Sequence, residues 1–150
     1  MKDTNDILLH MIELNWTNAR QAEDQRSTIT GLIIIIASAI QGGLTQTGFS
    51  KNALPITLML IVLGAFGMLA SAKLYERFQL NVAMAVNIRK RLEELHPDIQ
   101  IKKIVDKTEA EHLAMHPILG EKVRLHRVWQ GLHALIVILG ITYTIIILVR

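Results

Sequence analysis

The sequence has 150 residues, of which 51% are hydrophobic, 5% aromatic and 19% charged, with a formal net charge of +3 at pH 7. A soluble domain usually has about 25% charged residues, and the apolar residues of this chain are concentrated in a few long runs. This composition excludes a disordered chain and a collagen-like repeat. The sequence has no cysteine, so disulfides, thiolate metal sites and cysteine nucleophiles are excluded as well.

Three windows are apolar enough to cross a membrane as helices, because about 20 mostly apolar residues span roughly 30 Å of hydrocarbon. They are residues 28–47, 53–72 and 129–149, and none of them contains Asp, Glu, Lys or Arg. The sequence therefore predicts an all-α integral membrane protein with three transmembrane helices, organised as one membrane domain over residues 1–150. The alternative, a soluble protein with three buried helices, is disfavoured by the absence of charge in all three windows.

The basic residues predict how the three spans are oriented. Of the 16 Lys and Arg residues, Lys51 lies in the short loop between the first two spans and Arg150 follows the third. The other 14 lie before the first span or between the second and the third. By the positive-inside rule, we expect residues 1–27 and 73–127 in the cytoplasm and the C-terminus on the opposite side of the membrane.

The predicted cytoplasmic regions have helical rather than strand periodicity. Residues 1–27 form an amphipathic pattern without proline or glycine, so one helix is expected to run from there into the first span. The second span is likewise expected to continue as a long cytoplasmic helix until His96, because Pro97 disfavours helical geometry in the residue before it. Residues 99–115 are expected to form a further amphipathic helix, which ends before Pro117.

An apolar row follows the second span into the cytoplasm. Its members recur at helical spacing, which is typical of a helix face that packs on another helix. We expect this row, named the assembly seam, to pack against further copies of the chain in a homo-oligomer. The assembly seam comprises Phe78, Val82, Ala85 and Leu92.

Arg91 and His96 have the R-x4-H spacing of HEPN ribonucleases, in which the arginine stabilises a phosphate and the histidine handles the proton of the 2′-hydroxyl. The other interpretation is a basic helix end whose terminal histidine is favoured by the helix dipole. The motif is short, and such enzymes need a dimerised soluble bundle. We therefore expect no enzymatic activity and keep a membrane-tethered ribonuclease as an alternative.

His112 and His116 are four residues apart, so both imidazoles fall on one face of the predicted helix, and Glu109 extends the row. Two imidazoles at this spacing can bind zinc, but a site needs a third protein ligand, and the pattern is not HExxH. A solvated polar face is the simpler interpretation. We predict neither a metal site nor a cofactor.

Polar and small residues inside the predicted spans are the remaining candidates for function. His133 is an ionisable side chain in the third span, and Gln41 places an amide in the first. Ionisable groups in a membrane are functional candidates, and both side chains can either form hydrogen bonds between helices or line a water-filled pore. Gly42 and Gly43 follow Gln41 and would allow close packing of helices.

The basic residues do not indicate a nucleic-acid interface. Residues 73–127 hold 11 basic and 8 acidic residues, without the interleaved aromatic side chains of a nucleic-acid platform. Anionic lipid headgroups account for the basic excess beside the membrane. The expected partner is therefore the lipid bilayer, and no direct contact with nucleic acid is expected.

The first predicted helix carries Trp16 and the sequence Ala-Arg-Gln-Ala-Glu at 19–23, a short transmembrane hairpin follows, and Lys-Leu-Tyr-Glu-Arg at 73–77 opens the long helix. Together these segments resemble the SLATT family of small bacterial membrane effectors, which are associated with nucleotide-signalling defence systems. The chain is also similar to the membrane accessory proteins of type VI CRISPR systems, which carry a HEPN-like motif. The third span is an addition to the two-span SLATT plan.

The resemblance implies a homo-oligomer that permeabilises or depolarises the inner membrane when a soluble sensor or nuclease of an antiphage defence system signals infection. A membrane adaptor, which anchors a soluble partner through its cytoplasmic helices, is the second non-enzymatic interpretation.

A reporter protein fused after Arg150 tests the topology. Because 14 of the 16 basic residues lie in the two regions expected in the cytoplasm, a reporter that functions only in the periplasm should be active at this position. The same reporter inserted after His96 serves as the control and should be inactive. A reporter after Arg150 that functions only in the cytoplasm would contradict three spans with a cytoplasmic N-terminus.

Overall fold

The computed structural model describes residues 3–117 and 124–149, which are helical over nearly all of their length. No strand occurs in these two ranges, and the all-α prediction is confirmed. The helices are α1 (Thr4–Thr47), α2 (Leu54–Leu95), α3 (Ile101–Met115) and α4 (Leu125–Val149), with short 3-10 turns at Lys51–Ala53 and Pro97–Ile99.

Three of these helices, α1, α2 and α4, are long and apolar enough to cross a membrane, judged by length and composition. They carry the three windows predicted from the sequence. α1 has 44 residues and α2 has 42, about twice the length that a bilayer requires, so each continues well beyond its apolar window. The prediction of two long uninterrupted helices is therefore confirmed.

The helix ends have local causes in the sequence. α1 ends at Thr47, and Gly48 then adopts a left-handed conformation with a φ of 71°, which glycine accepts without steric cost. α2 carries Pro55 in its first turn, where the missing N–H removes no helical hydrogen bond. α2 ends two residues before Pro97, as the clash between proline and its preceding residue predicts.

The chain divides into two compact units. Unit 1 comprises Met1–Glu23 and Tyr75–Arg124, and unit 2 comprises Asp24–Leu74 and Leu125–Arg150. Unit 2 contains the apolar windows of α1, α2 and α4. Unit 1 contains most of the two regions that the charge distribution assigns to the cytoplasm.

In unit 1 the beginning of α1 runs antiparallel to the end of α2. His96 follows α2 directly, and its Nε2–H donates a hydrogen bond of 3.0 Å to Oδ1 of Asn5 near the start of α1. Buried side chains recur at spacings of three, four or seven residues on both helices, as in packed helix pairs. They are Asn15, Ala19 and Ala22 on α1 and Asn81, Ala85 and Leu92 on α2.

The assembly seam belongs to this buried row. Ala85 and Leu92 are buried, and Phe78 and Val82 are half-buried. α3 has no buried residue, so the helix that covers the seam in unit 1 is the first part of α1. Ala85 and Leu92 are thus already covered within one chain, and packing of the seam against further copies stays a prediction.

In unit 2 the apolar windows of α1, α2 and α4 pack around a common core. Its members come from all three helices and from the turn before α2, so the windows form one helical bundle. They are Ile33, Ala37, Leu44, Ala53, Leu60, Ile136 and Ile147. Many large apolar side chains of the same windows, such as Ile35, Leu69 and Ile138, are exposed, as expected for residues that face lipid.

The substitution Ala85→Leu tests the packing of α1 on α2. Ala85 is almost completely buried, so three added carbon atoms should overpack the contact and lower the free energy of unfolding by about 1–3 kcal/mol. The matched control is Ala83→Leu, at an exposed position on the same helix, which should change it by less than about 0.5 kcal/mol. Thermal unfolding in detergent, followed by circular dichroism, measures both. Equal effects would contradict the packing.

Candidate functional site

α2 and α4 approach each other closely in unit 2 because glycines face the neighbouring helix. A Cβ atom placed on Gly64 would lie 2.9 Å from the backbone nitrogen of Val137, and one placed on Gly140 would lie 2.9 Å from that of Ile61. Real Cβ atoms do not approach a neighbouring backbone so closely, so the spacing of the helices requires glycine at both positions. Close approach at small residues is a common way for helices to associate in membranes.

His133 of α4 lies among all three helices of this bundle. Its side chain is fully buried, and its Nε2 lies 3.1 Å from the hydroxyl of Thr30 on α1, at hydrogen-bonding distance. The other edge of the ring faces Gly67 of α2, where any Cβ atom would collide with the imidazole. The imidazole therefore links α1 and α4 by a hydrogen bond and fills the space that Gly67 leaves on α2.

The two ring nitrogens of His133 have different surroundings. Nε2 has Thr30 as its partner, whereas Nδ1 has no hydrogen-bond partner in the part of the chain that the structure describes. Through Nε2, His133 forms a polar contact between α1 and α4.

Further polar contacts lie on both sides of His133 along α4. One turn earlier, the guanidinium carbon of Arg26 lies 5.8 Å from the ring centroid of Trp129, which is a cation–π arrangement. Near the other end of α4, the hydroxyl of Thr144 donates a hydrogen bond of 2.9 Å to Oγ1 of Thr57. Arg26 and Thr57 are both buried, so these polar groups lie inside the unit.

The sequence pattern indicated His133 as a candidate but not the residues that contact it. Arg26 and Thr30 are four residues apart on α1, as Trp129 and His133 are on α4, so two matched layers pair between the helices. This spacing was visible in the sequence. What pairs the layers is the parallel register of α1 and α4, which no local pattern contains.

The other intramembrane candidates lie elsewhere on α1. Gln41 is half-buried, while Gly42 and Gly43 are exposed and have open space where a Cβ atom would be. Gln41 follows Thr30 by 11 residues, or about 16 Å of helix, so the structure does not bring it together with His133.

The structure does not bring Arg91 and His96 together as a catalytic pair. The guanidinium of Arg91 donates a hydrogen bond of 2.6 Å to Glu94, and both side chains are exposed. His96 lies beyond the end of α2 and donates to Asn5. Each member of the motif therefore has a different partner.

His112 and His116 lie side by side at the end of α3, with their ring centroids 4.9 Å apart. Within residues 3–117 and 124–149, no group of three His, Asp or Glu side chains is arranged to hold a metal ion, and Glu109 completes no such group. The arrangement is a pair of neighbouring imidazoles on the surface.

No protein-family model, no curated protein and no solved structure matches the chain. The resemblance to the SLATT family therefore rests on the sequence features alone, and the candidate site rests on its own geometry.

A double-mutant cycle on Gly67 and His133 tests the site. The atoms nearest to a Cβ on Gly67 all belong to the His133 ring, so Gly67→Ala should lower the free energy of unfolding by about 1–3 kcal/mol. In a His133→Ala background the same substitution should cost nothing, because the ring is gone. Thermal unfolding of the purified protein in detergent provides the four values.

Gly131→Ala is the matched control for this cycle. Gly131 lies on α4 with open space around a Cβ atom, so the substitution should leave stability unchanged or raise it slightly. A loss for Gly67→Ala that is as large without His133 as with it would contradict the contact.

Proposed function

We propose that the chain is a homo-oligomeric effector of bacterial antiphage defence that permeabilises or depolarises the inner membrane and has no enzymatic activity. Its N-terminus and the region between the second and third spans lie in the cytoplasm, where a soluble sensor or nuclease supplies the signal. The resemblance to the SLATT family supports the defence role. The exposed polar side chains of α1 support the action on the membrane.

The observation that carries the proposal is the distribution of polar side chains over the bundle of unit 2. Polar side chains that face lipid are costly, so spans usually turn them toward a neighbouring helix or toward water. α2 follows this rule, since Thr57 and Ser71 are both buried. On α1, by contrast, Ser38 is exposed and Gln41 is only half-buried. Thr45 is exposed as well, with its hydroxyl bonded to the carbonyl of Gly42 in its own helix.

Assembly of several copies gives this polar side of α1 a favourable environment. A single chain has three spans, which are too few to enclose a water-filled path. Copies related by closed cyclic symmetry repeat one interface without forming a filament. If each copy turns the polar side of α1 toward the common axis, Gln41 and its neighbours lie along the path of water or ions.

An apolar groove on the other side of α1, about 160° around the helix from Ser38 and Thr45, supports tight contact between copies. It has a volume of about 540 Å³ and is lined by Ile36, Ala39 and Gly43 of α1 and by Ile56 and Met59 of α2. Gly43 leaves the backbone of α1 accessible at its edge. Helices of neighbouring copies associate at such sites through van der Waals packing.

Gln41→Leu tests the proposal in bacteria that express the chain from an inducible promoter. The wild-type chain should depolarise the membrane, measured with a potential-sensitive dye, and the variant should do so about tenfold less because an apolar residue replaces the amide on the polar side. The matched control is Thr142→Val on α4, an exposed residue whose hydroxyl bonds to the carbonyl of Ile138 in its own helix. This control should behave as wild type.

Two results would overturn the proposal. The first is a wild-type chain that reaches the membrane at normal levels and leaves its potential unchanged. The second is equal depolarisation by Gln41→Leu and wild type. Arg91→Ala and His96→Ala test the ribonuclease alternative, and both variants should still depolarise the membrane. If the purified chain cleaves RNA and either substitution abolishes the cleavage, the ribonuclease is favoured.

The adaptor alternative is favoured by one specific observation. α3 has no buried residue, and its large apolar side chains Ile104, Leu113 and Met115 are exposed. Exposed apolar side chains on an amphipathic helix often mark a surface that binds a protein partner. A chain that inserts normally but does not change the membrane potential would favour this alternative.

A further inference from the structure

Unit 1 has a second apolar face, which the packing of α1 on α2 leaves uncovered. Six large apolar side chains on it are between 42% and 54% exposed. They are Ile7, Met11 and Leu14 on α1 and Leu80, Met84 and Leu95 on α2. We name this set the helix-pair face.

The six side chains lie on one side of the helix pair. Each of them directly precedes a residue that is buried or half-buried between the two helices: Leu14 precedes the buried Asn15, and Met84 precedes the buried Ala85. One residue turns an α-helix by about 100°, so both sets are displaced from the contact row in the same rotational sense. Because α1 and α2 are antiparallel here, the same sense of rotation brings both sets to the same side.

α3 does not cover the helix-pair face. The start of α3 is held by Glu93, whose carboxylate accepts a hydrogen bond of 3.0 Å from the backbone N–H of Lys102. Glu93 directly follows the buried Leu92, whereas the members of the face precede the buried row. α3 therefore starts on the opposite side of the pair.

We propose that the helix-pair face binds a second copy of the chain, so that unit 1 of two copies forms an antiparallel four-helix bundle. In this arrangement unit 1 of one copy and unit 1 of the other are related by a local two-fold axis parallel to their helices. α1 of each copy then lies between α2 of its own chain and α2 of the other. Ile7 lies at the level of Leu95 of the partner subunit.

The charges of the two helices favour a second copy of the chain at this face. Residues 3–23 contain four acidic residues and one arginine, whereas residues 75–96 contain four basic residues and three acidic ones. Opposite net charges favour contact between α1 of one copy and α2 of the other and disfavour contact between two copies of α1. The negative charge of α1 also disfavours an anionic lipid surface or a nucleic acid at this face.

This inference rests on the proposed homo-oligomer and adds a contact between two copies that is separate from the polar side of α1, because Ser38 and Thr45 follow the buried row of α1 and the members of the face precede it. The buried residues of the assembly seam pack within the chain, and the neighbouring stripe of α2 faces the second copy. The four-helix arrangement covers apolar side chains that a two-helix pair leaves in water, which is the usual reason for such bundles.

Cysteine cross-linking in native membranes tests the proposal. The chain has no cysteine of its own, so introduced cysteines report without background. Two differently tagged copies are co-expressed, one with Ile7→Cys and the other with Leu95→Cys, and the membranes are oxidised. We expect a disulfide-linked dimer that carries both tags, because the two positions face each other across the bundle.

Leu9→Cys paired with Leu95→Cys is the matched control. Leu9 is 53% exposed, as accessible as Ile7, but it lies on another side of α1. Its cross-linked dimer should be about tenfold less abundant, since a disulfide needs Cα atoms within about 7 Å. Equal yields for the two pairs, or no dimer from Ile7→Cys although both cysteines react with a maleimide, would overturn the proposal.

A charge placed on the face provides the second measurement. Met84→Glu should lower the particle mass of the chain in mild detergent, measured by light scattering, by half or more. Ala83→Glu, at the neighbouring exposed position off the face, should leave the mass unchanged. A mass that Met84→Glu does not lower contradicts the face.

Neither readout depends on membrane potential. A chain that cross-links as expected but does not depolarise the membrane therefore supports the helix-pair face and contradicts the proposed function. A chain that depolarises the membrane without the cross-link contradicts the face alone.

Discussion

Hydrocarbon offers no hydrogen bonds, so a polar group within a membrane span must find its partner inside the protein. In unit 2 the hydroxyl of Thr30 and Nε2 of His133 pair across two helices, and the imidazole needs space on the third helix, which Gly67 provides. The glycines bring α2 and α4 close enough for the other polar pair, Thr57 and Thr144, to meet. Close packing and polar satisfaction thus depend on the same small residues.

Unit 1 differs from unit 2, because its helices carry many exposed charged side chains beside apolar side chains that need cover. In a pair of helices, each helix buries one row of side chains against the other. A second apolar row on either helix remains exposed. α1 and α2 both have such a second stripe, one residue before the first. Contacts between copies through unit 1 and contacts through unit 2 would use separate surfaces. Each can therefore be disrupted by substitution without the other.

Short sequence motifs differ in how well their spacing predicts contact between the side chains. His112 and His116 are four residues apart on a helix, and their rings do lie side by side, because that spacing places side chains on one face. Arg91 and His96 are five residues apart, about 140° around a helix, so they diverge and bond to Glu94 and Asn5. The R-x4-H spacing alone therefore does not place these two side chains in contact.

The amino-acid sequence by itself determined the helices of this protein: the long apolar windows, the continuous helices without interior proline, and the helix end before Pro97. These features depend on residues near each other in the chain. Only the tertiary structure decided which stripe of α2 faces α1, and it is the one containing Ala85 rather than the one containing Met84. It also decided that Thr30 meets His133, 103 residues later. Both contacts depend on the rotation and register of whole helices, which the packing of distant segments sets and which no local spacing encodes.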